Sequence, residues 1–374
     1  MKHVHWLGTG LSSIPGIRRL AKRFDNFTVW NRTLAKAESA LSHVTKHNVS
    51  AQKFNIEQLS SLLKPGDIVI SQLPASHHFR IAKICLEKKC HFASSSYISD
   101  EINSLDTEAK NNGLTFINEI GLDPGIDHFF SHLLVNDLKR LNENNISVCY
   151  QSYCGGFPAI PNDFKYKFSW SPVGVIKALN NDAKYIHNFK THVKIPYKNI
   201  GNYEVNNEKY EAYPNRDSTP YINEYNFDPN WKINEFVRGT LRLKGWQNAW
   251  KEIFNLLENK NPSLDNQISI LGDELWAKHP YAKNEEDRVV LYVKLKAEQN
   301  NKQIFKSSYF LDEKGSGENT AMGKLVSLTL SAAIDLLLQD KLLPGVQAAP
   351  HQPDLIEYFF KILKENNINI TKNI

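Results

Sequence analysis

Two glycines near the start of the sequence have the spacing of a phosphate-binding loop, in the segment Gly8-Thr9-Gly10-Leu11-Ser12. The segment lies between an apolar strand pattern and a helical pattern. The first glycine permits a tight turn, and the second lets a ligand approach the backbone at a helix N-terminus, whose N–H groups attract phosphate. In this strand–turn–helix context the spacing predicts a dinucleotide site, with a plain glycine turn as the alternative. Ser13 stands where a third glycine is usual.

The end of the second strand pattern indicates which nicotinamide cofactor the site prefers. Enzymes that use NAD place Asp or Glu there for the ribose hydroxyls, whereas a nearby Arg accommodates the 2′-phosphate of NADP. This chain has Asn31, Arg32 and Thr33 at that point and no carboxylate. Arg32 can pair with the phosphate or lie over the adenine, and Thr33 offers a hydroxyl at a helix start. The sequence therefore predicts NADP, the alternative being a solvated turn and helix cap.

Polar residues also follow the fourth and fifth strand patterns, where the ligands of open α/β sheets bind. The first group is Ser71 to Pro74, and the second contains three consecutive serines, ending in Ser95 and Ser96, followed by Tyr97. Adjacent hydroxyls suit the binding of a polar substrate better than the interior of a strand. Loop structure and capping of the next helix are the alternative explanation.

A turn rich in glycine, proline and carboxylates runs from Asn118 to His128, with the sequence NEIGLDPGIDH. It joins a strand pattern to a helical pattern, and Pro124 suits the first turn of a helix. Such a turn would hold Asp123 at the carboxyl edge of the sheet, beside a nicotinamide. Capping of the helix by Asp123 is the alternative.

These groups are positioned by an alternation of short apolar runs with helical patterns. Strands that alternate with helices form β-α-β units and a parallel sheet covered on both faces. Six strands make a full dinucleotide-binding fold, so we expect an α/β, Rossmann-type, doubly wound parallel sheet. The strand patterns are His3–Leu7, Phe27–Trp30, Val49–Phe54, Asp67–Leu73, Cys90–Ser94 and Leu114–Glu119.

The pattern changes in the middle of the chain, where strand patterns follow one another without crossover helices. This succession favours a mixed or antiparallel sheet in an inserted α+β domain for substrate binding and dimerisation. A helical pattern at Thr320–Gln339 then favours a return to the first domain. We expect the dinucleotide domain at residues 1–125, the inserted domain at 126–318 and C-terminal helices at 319–374. The later strand patterns are Ile146–Cys154, Thr191–Pro196, Lys209–Ala212, Ile233–Leu243, Val289–Ala297 and Gln303–Phe310.

Composition argues against several other classes of protein. The chain has 374 residues and a net charge of +5 without a cluster of Lys and Arg, which argues against nucleic-acid binding. Its four cysteines form no C-x-x-C pair and its histidine pairs lack a third ligand, so we expect reduced thiols and no metal. We predict a cytoplasmic protein without a membrane segment, because no signal-peptide pattern opens the sequence and Leu325–Leu338 is too short to cross a bilayer.

The segment NEIGLDPGIDH is similar to the hallmark of the NADP-dependent, L-glutamate-forming saccharopine dehydrogenases. Four further segments agree with that family in order and spacing. They are YCGG from Tyr153, YKFSWSP from Tyr166, YPNRDS from Tyr213 and RGTLR from Arg238. The chain is therefore identified as a member of this family, although the stretch from Phe157 to Pro161 departs from the family's usual pattern.

The resemblance implies an enzyme that interconverts saccharopine with glutamate and 2-aminoadipate 6-semialdehyde, moving a hydride between the substrate and NADP(H). It assigns substrate contacts to Ser95, Ser96, Tyr97, Asp123, Arg216, Arg238, Gly239 and Thr240. It assigns NADP contacts to Gly8, Thr9, Gly10, Leu11, Ser12, Asn31, Arg32, Thr33, Asn55, Leu73, Leu122 and Ser169. The catalytic candidates are Asp123, Cys154 and Lys167, and a water relayed through Asp123 is an equally compatible general base.

Two other functions remain open on the sequence alone. A carboxynorspermidine-type dehydrogenase has the same fold and also reduces an imine to a secondary amine, but the YPNRDS segment is not expected in it. A non-catalytic sensor of NADP and an amino acid is the other, and the intact Asp123 turn and Arg216 argue against it.

We also expect a homodimer through the second domain, because its alternating strands leave one face to be covered.

Overall fold

The computed structural model describes residues 2–259 and 263–373, and the chain divides into two compact units. The first unit is formed by Met1–Phe129 and Glu318–Ile368, and the second by Phe130–Gly317 and Asn369–Ile374. The first unit is therefore built from two separate stretches of chain. The expected division gives all of 319–374 to the first domain, whereas the structure assigns 369–374 to the second unit.

The described residues form the following strands and helices. The strands are β1 (Val4–Leu7), β2 (Phe27–Asn31), β3 (Val49–Lys53), β4 (Ile68–Ser71), β5 (His91–Ser94), β6 (Thr115–Ile117), β7 (Ser147–Pro158), β8 (Ala183–His187), β9 (Lys190–Lys194), β10 (Gly201–Val205), β11 (Glu208–Pro214), β12 (Lys232–Leu243), β13 (Asp287–Gln299), β14 (Lys302–Gly315), β15 (Gly345–Gln347) and β16 (Ile370–Asn373). The helices are α1 (Ile14–Arg23), α2 (Leu34–Ala40), α3 (Ile56–Leu62), α4 (His78–Glu87), α5 (Asp100–Asn103), α6 (Asp106–Asn111), α7 (Ile126–Lys139), α8 (Pro172–Asn180), α9 (Tyr221–Glu224), α10 (Trp246–Ala249), α11 (Lys251–Glu258), α12 (Leu264–Lys278), α13 (Ala321–Leu338) and α14 (Pro353–Glu365). Short 3₁₀ helices lie at Ala75–His77 and Pro196–Lys198.

The first unit contains a parallel sheet of seven described strands in the order β3-β2-β1-β4-β5-β6-β15. Its first six strands have the order of a dinucleotide-binding fold, and that order reverses between β1 and β4, where the ligands of such sheets bind. The expected Rossmann-type sheet is confirmed. The sequence pattern does not predict β15, because Pro344 and Gly345 indicate a stop. In the structure β15 pairs with β6, beginning with Gly345 opposite Thr115.

Helix α13 packs against α1 in the first unit. Gly16 permits this close approach, since a Cβ there would lie 2.3 Å from the carbonyl oxygen of Ser327 on α13. By length and composition this helix of 18 residues is long and apolar enough to cross a membrane. Its length therefore does not support the expectation that the apolar segment is too short to cross a bilayer. Because 78% of the helix is buried in the structure, packing in a protein core accounts for its apolar character.

The second unit contains a mixed sheet with nine described strands. Seven follow the order β10-β11-β12-β7-β13-β14-β16, while β8 pairs with β12 and β9 pairs with β8. Strands β7 and β12 run parallel, and the neighbouring pairs β7–β13 and β11–β12 are antiparallel, as the sequence leads us to expect of a mixed sheet. The sequence pattern does not predict β8 or β10, because both strands are short and carry no clear apolar alternation. Helices α8, α11 and α12 also lie between the predicted strands, in segments where no helix is predicted.

The two faces of this sheet have different surroundings. On one face, Tyr150 of β7 stacks on Phe236 of β12 with ring centroids 4.5 Å apart, and its hydroxyl hydrogen-bonds with Ser131 of α7. Successive residues of a strand point to opposite faces, so Tyr153 of β7 lies on the other face. That second face carries four partly buried rings, those of Tyr153, Tyr203, Tyr292 and Phe310.

Candidate functional site

The glycine loop approaches the carboxyl end of β4, as its spacing predicts. Gly8 has a φ of +97°, and a Cβ there would lie 2.6 Å from the carbonyl oxygen of Gln72. A Cβ built on Gly10 would have no other part of the described chain within 4 Å, so the backbone there faces open space. Helix α1 begins just beyond, at Ile14. The loop therefore has the tight turn, the free approach and the helix N-terminus that suit a pyrophosphate.

The end of β2 lies beside this loop, and Asn31 joins the two. Its Oδ1 accepts a hydrogen bond from Thr9 N–H at 3.3 Å, and its Nδ2 donates to the Thr33 carbonyl oxygen at 3.0 Å. Arg32 and Thr33 are exposed. The structure thus brings the glycine loop together with the segment predicted to select the cofactor, where a guanidinium is present and a carboxylate is not. These residues fit NADP.

The other predicted NADP contacts in the first unit have more varied surroundings. Leu11 is exposed and Ser12 is partly buried, both in the glycine loop. Asn55 caps helix α3, since its Oδ1 accepts a hydrogen bond from Gln58 N–H at 2.7 Å. Leu73 packs against the apolar core. The structure therefore shows Asn55 as a helix cap and Leu73 as a residue packed against the core.

A buried histidine links the polar residues at the ends of β4 and β5. His78 Nδ1 hydrogen-bonds with Ser71 Oγ at 2.9 Å, and its Nε2 hydrogen-bonds with Ser96 Oγ at 2.8 Å. Burial lowers the pKa of His78 to about 4, so the ring is neutral at neutral pH. Gln72 Nε2 donates to Ser95 Oγ at 2.8 Å. The predicted pair of serines is therefore held in place from the β4 side, Ser95 by Gln72 and Ser96 by a histidine that the sequence does not assign to the site.

Tyr97 and Asp123 meet at the carboxyl edge of the same sheet. The Tyr97 hydroxyl donates a hydrogen bond to Asp123 Oδ1 at 3.1 Å, and both side chains are partly buried. The turn that carries Asp123 is tight, with a cis peptide bond before Pro124 and a hydrogen bond of 2.9 Å from Gly121 N–H to the Pro124 carbonyl oxygen. Leu122, in the same turn, is buried. The pair joins a hydroxyl and a carboxylate in an arrangement that is able to move a proton.

In the second unit, Cys154 and Thr240 lie side by side on β7 and β12. The two residues are paired in register, Cys154 is buried and Thr240 is partly buried. Close packing accounts for Gly239, because a Cβ there would lie 2.3 Å from the ring of Tyr153 and 2.7 Å from the carbonyl oxygen of Tyr213. The structure therefore brings Cys154 and Thr240 together and gives Gly239 a steric role.

The two predicted substrate arginines lie on adjacent segments of the second unit. Asn215 N–H donates to the Arg238 carbonyl oxygen at 2.8 Å, which places the loop of Arg216 beside β12. Arg216 is exposed and has a φ of +58°, a conformation that is costly for a residue other than glycine and that occurs often at functional sites. Arg238 is buried, with its guanidinium 4.0 Å from the ring centroid of Tyr221. No sequence pattern indicates the backbone conformation of Arg216.

Lys167 and Ser169 precede helix α8. Lys167 Nζ lies 2.6 Å from Glu285 Oε2. Burial would raise the pKa of Glu285, but the hydrogen bonds from Lys167 and from Ala282 N–H and the charge of Lys167 together outweigh it and hold this pKa below its usual value. Ser169 is buried. The predicted catalytic lysine is therefore engaged in an ion pair within the second unit.

Two of the segments that resemble the family surround a third arginine. Arg242 is buried, and its guanidinium lies 4.8 Å from the ring centroid of Tyr166, 5.5 Å from that of Tyr213 and 5.3 Å from that of Trp246. Cation–π contacts of this kind stabilise a guanidinium away from water. Tyr166 and Tyr213 thus have a packing role that the sequence does not indicate.

Comparison with known protein families covers nearly the whole chain. Residues 4–117 match the saccharopine dehydrogenase NADP binding domain, and residues 121–368 match the saccharopine dehydrogenase C-terminal domain. The chain belongs to the saccharopine dehydrogenase family. The predicted family is confirmed, and the prediction of NADP agrees with the family's NADP binding domain.

Two relatives show the extent of the similarity to individual proteins. The chain is 34% identical over 268 residues to saccharopine dehydrogenase [NADP(+), L-glutamate-forming] of Saccharomyces cerevisiae, a match covering 68% of this chain and 58% of that protein. It is 39% identical over 211 residues to alpha-aminoadipic semialdehyde synthase of Arabidopsis thaliana, covering 53% of this chain and 20% of that protein. The matched segment therefore spans less than two thirds of the length of either relative.

Solved structures share the fold of the saccharopine dehydrogenase family. Apo saccharopine dehydrogenase (L-Glu forming) from Saccharomyces cerevisiae has a TM-score of 0.82 and 26% identity, covering 100% of this chain and 99% of that one. Homospermidine synthase from Legionella pneumophila, solved in complex with NAD, has a TM-score of 0.64 and 12% identity, covering 100% of this chain and 91% of that one. At this low identity the second likeness shows the fold alone.

Proposed function

We propose that this member of the saccharopine dehydrogenase family is an NADP-linked, L-glutamate-forming saccharopine dehydrogenase. It interconverts saccharopine with glutamate and 2-aminoadipate 6-semialdehyde. The observation that carries the proposal is the Tyr97–Asp123 pair at the carboxyl edge of a dinucleotide-binding sheet, in a chain that matches both domains of the family. The name of the yeast relative supports the same reaction.

The cofactor would be held by the glycine loop and the end of β2. When bound, the oxidised cofactor NADP+ would accept the hydride, and the reduced cofactor NADPH would supply it in the reverse direction. Gly8 and Gly10 let the pyrophosphate approach the N-terminus of α1, while Asn31 fastens the loop to β2 through Thr9. Arg32, exposed at the strand end, supplies a guanidinium for the 2′-phosphate.

The substrate requires several fixed cations. Saccharopine carries three carboxylates and a secondary amine, and Arg pairs with a carboxylate through two parallel hydrogen bonds. We assign carboxylate binding to Arg216 and Arg238, which lie on adjacent segments of the second unit. Ser95 and Ser96, oriented from the β4 side by Gln72 and His78, would bind other polar groups of the substrate.

Asp123 is the proposed acid–base group. Its Oδ1 accepts the hydroxyl hydrogen of Tyr97, which orients the carboxylate for exchange of a proton with the substrate nitrogen or with a water. Cys154, which is paired in register with Thr240 in the second unit, is a further candidate for proton transfer. Because Lys167 is engaged with Glu285, we assign no proton transfer to it.

A homodimer through the second unit is part of the proposal. The sheet face with the rings of Tyr153, Tyr203, Tyr292 and Phe310 is partly buried within one chain. Charged residues of the same face flank these rings, including Lys294 and Glu235. An aromatic centre with a charged rim is the usual composition of a protein–protein interface, and two copies of one chain meet most simply through the same patch.

A cytoplasmic location is also proposed. The described cysteines are all free thiols, namely Cys85, Cys90, Cys149 and Cys154. Burial raises the pKa of the Cys85 thiol, which keeps it protonated and unreactive. Free thiols are typical of a reducing compartment. Cell fractionation followed by immunodetection tests this assignment, and recovery in an organelle or membrane fraction would contradict it.

An assay of NADPH formation tests the function. Purified protein is mixed with NADP and either saccharopine or carboxynorspermidine, and the absorbance of NADPH is followed. Formation of NADPH with saccharopine alone supports the proposal. Turnover with carboxynorspermidine alone would identify a carboxynorspermidine-type dehydrogenase. Binding of NADP and an amino acid without turnover would identify a non-catalytic sensor. Either of these two results overturns the proposal.

A further inference from the structure

Three buried ionisable side chains lie close to Asp123 in the first unit. Glu119, Asp127 and His128 are 5%, 0% and 0% exposed. They belong to the NEIGLDPGIDH segment, yet the proposed function assigns no role to them. Burying ionisable groups costs free energy unless hydrogen bonds compensate, so their contacts indicate what they do.

Glu119 holds the backbone on both sides of Tyr97. Its own N–H donates to the Ser96 carbonyl oxygen at 3.0 Å, and its Oε1 accepts from Ile98 N–H at 2.9 Å. Its Oε2 lies 2.9 Å from Nε2 of His128, which donates to the carboxylate. One residue therefore anchors both neighbours of Tyr97 and connects them to His128.

The backbone of Glu119 has an unusual conformation. Its φ is +52°, in a region that residues other than glycine rarely occupy. Such a conformation persists where the surrounding contacts over-determine it, and it is concentrated at functional sites. Here those contacts are the two hydrogen bonds to the segment around Tyr97 and the one to His128.

Glu119, Asp127 and His128 form a buried cluster, and Asp127 at its other end holds the turn that carries Asp123. Asp127 Oδ1 accepts from Gly125 N–H at 2.7 Å, and Asp127 N–H donates to the Leu122 carbonyl oxygen at 3.1 Å. His128 Nδ1 lies 3.8 Å from Asp127 Oδ2. His128 thus stands between a carboxylate bound to the Tyr97 segment and a carboxylate bound to the Asp123 turn.

We propose that Glu119 and His128 are positioning residues that hold the Tyr97 hydroxyl on Asp123 and thereby orient the acid–base carboxylate. This inference rests on the proposed function, in which Asp123 exchanges the proton. The competing explanation is that the cluster stabilises the first unit without any influence on the Tyr97–Asp123 pair. Of two measurements, the first tests whether Glu119 holds the Tyr97 segment, and the second separates these explanations.

The first measurement does not depend on a substrate. Glu119→Gln removes the charge that binds Ile98 N–H and His128 with little change in volume. Amide hydrogen exchange across residues 95–98 should become at least about tenfold faster, since hydrogen bonds to charged groups are among the stronger ones. The matched control Tyr358→Phe removes a partly buried hydrogen bond to Asp335, 2.6 Å long, elsewhere in the first unit and should leave this exchange unchanged. Parent-like exchange in the Glu119→Gln variant overturns the inference.

The second measurement is a double-mutant cycle on turnover. Glu119→Gln should lower kcat by at least about tenfold and leave the affinity for NADP within about twofold, whereas Tyr358→Phe should keep the parent kcat. In a Tyr97→Phe background the same change should cost little more, because the hydroxyl that Glu119 positions is already absent. If the two losses multiply, the residues act independently and the inference is wrong. If the parent does not oxidise saccharopine, the proposed function fails, while the exchange experiment still decides whether Glu119 holds the Tyr97 segment.

Discussion

Tyr97 donates its hydroxyl hydrogen to Asp123 at 3.1 Å, although Tyr97 follows β5 and Asp123 follows β6. The two residues are 26 positions apart in the chain. Neighbouring parallel strands end at the same edge of a sheet, so the residues that follow them meet there. The proposed acid–base chemistry depends on this contact.

Replacing the carboxylate should abolish most of the turnover. Asp123→Asn keeps an oxygen that accepts from Tyr97 but removes the group that exchanges the proton. We expect kcat to fall by roughly 10²-fold or more, the range for the loss of a general acid or base. Steady-state kinetics give kcat, and a fluorescence titration of NADPH serves as the control for cofactor binding. A kcat within about twofold of the parent would exclude Asp123 as the acid–base group.

Arg216 should bind a substrate carboxylate. Arg216→Ala is expected to cost roughly 2–5 kcal/mol of substrate binding, much of it from the carboxylate left without its partner. Arg216→Lys should recover only part, because a point charge cannot form the paired hydrogen bonds of a guanidinium. Thermal stability and NADP affinity should hardly change, since the residue is exposed in a loop of the second unit. Parent-like kinetics in the Ala variant would mean that Arg216 is a surface charge.

Asn31 should help to select NADP over NAD. Asn31→Asp retains an oxygen that accepts from Thr9 N–H, so the glycine loop should stay fastened to β2. The added carboxylate should favour the ribose hydroxyls of NAD and repel the 2′-phosphate of NADP. The ratio of kcat/KM for the two cofactors measures the change. An unchanged ratio, or a parent enzyme that prefers NAD, would show that the end of β2 does not select the cofactor.

Stability should decrease as the pH falls below the usual pKa of histidine. Burial lowers the pKa of His3, His78 and His91 from 6.5 to about 4. Between pH 6.5 and about pH 4 the unfolded chain binds protons that the folded chain does not. The free energy of unfolding therefore decreases as the pH decreases. A buried histidine such as His78 contributes up to about 1.4 kcal/mol per pH unit, and the less buried His3 and His91 contribute less.

The variant His78→Gln tests this assignment. It removes one of these titrating rings, so its thermal midpoint should decline less steeply than that of the parent between about pH 6.5 and about pH 4. Both proteins share every other titrating group, which makes the difference between their slopes specific to His78. Parallel declines would mean that His78 also binds its proton in the folded state.

The dimer can be tested at the aromatic face of the second unit. Light scattering of the parent should give about twice the chain mass of 42.8 kDa. Tyr292→Lys places a charge among the four rings and should shift the protein to the monomer, because an unpaired charge in an apolar contact is costly. Ile160→Lys, at a position 82% exposed, is the control and should remain dimeric. A monomeric parent would rule out the dimer.

The sequence by itself determined strands β1 to β6 of the parallel sheet, the glycine loop and the family. These features depend on local relations, such as the alternation of apolar runs and the φ that Gly8 needs in a turn between β1 and α1. Short-range periodicity records which side chains must be buried on each element. For this reason β1 to β6 and α1 lie close to their predicted positions. The mixed sheet of the second unit follows from the same kind of pattern, except for its short exposed strands.

Only the tertiary structure decided which distant segments meet. Strand β15 forms by pairing with the edge of β6. Gly16 is needed because Ser327, 311 positions later in the chain, packs against it. In the same way, the contact of His78 with Ser96 and the hold of Glu119 on the Tyr97 segment depend on how β4, β5 and β6 align. These contacts join residues far apart in the chain, and no local pattern records them, since periodicity tells which face is buried but not what lies against it.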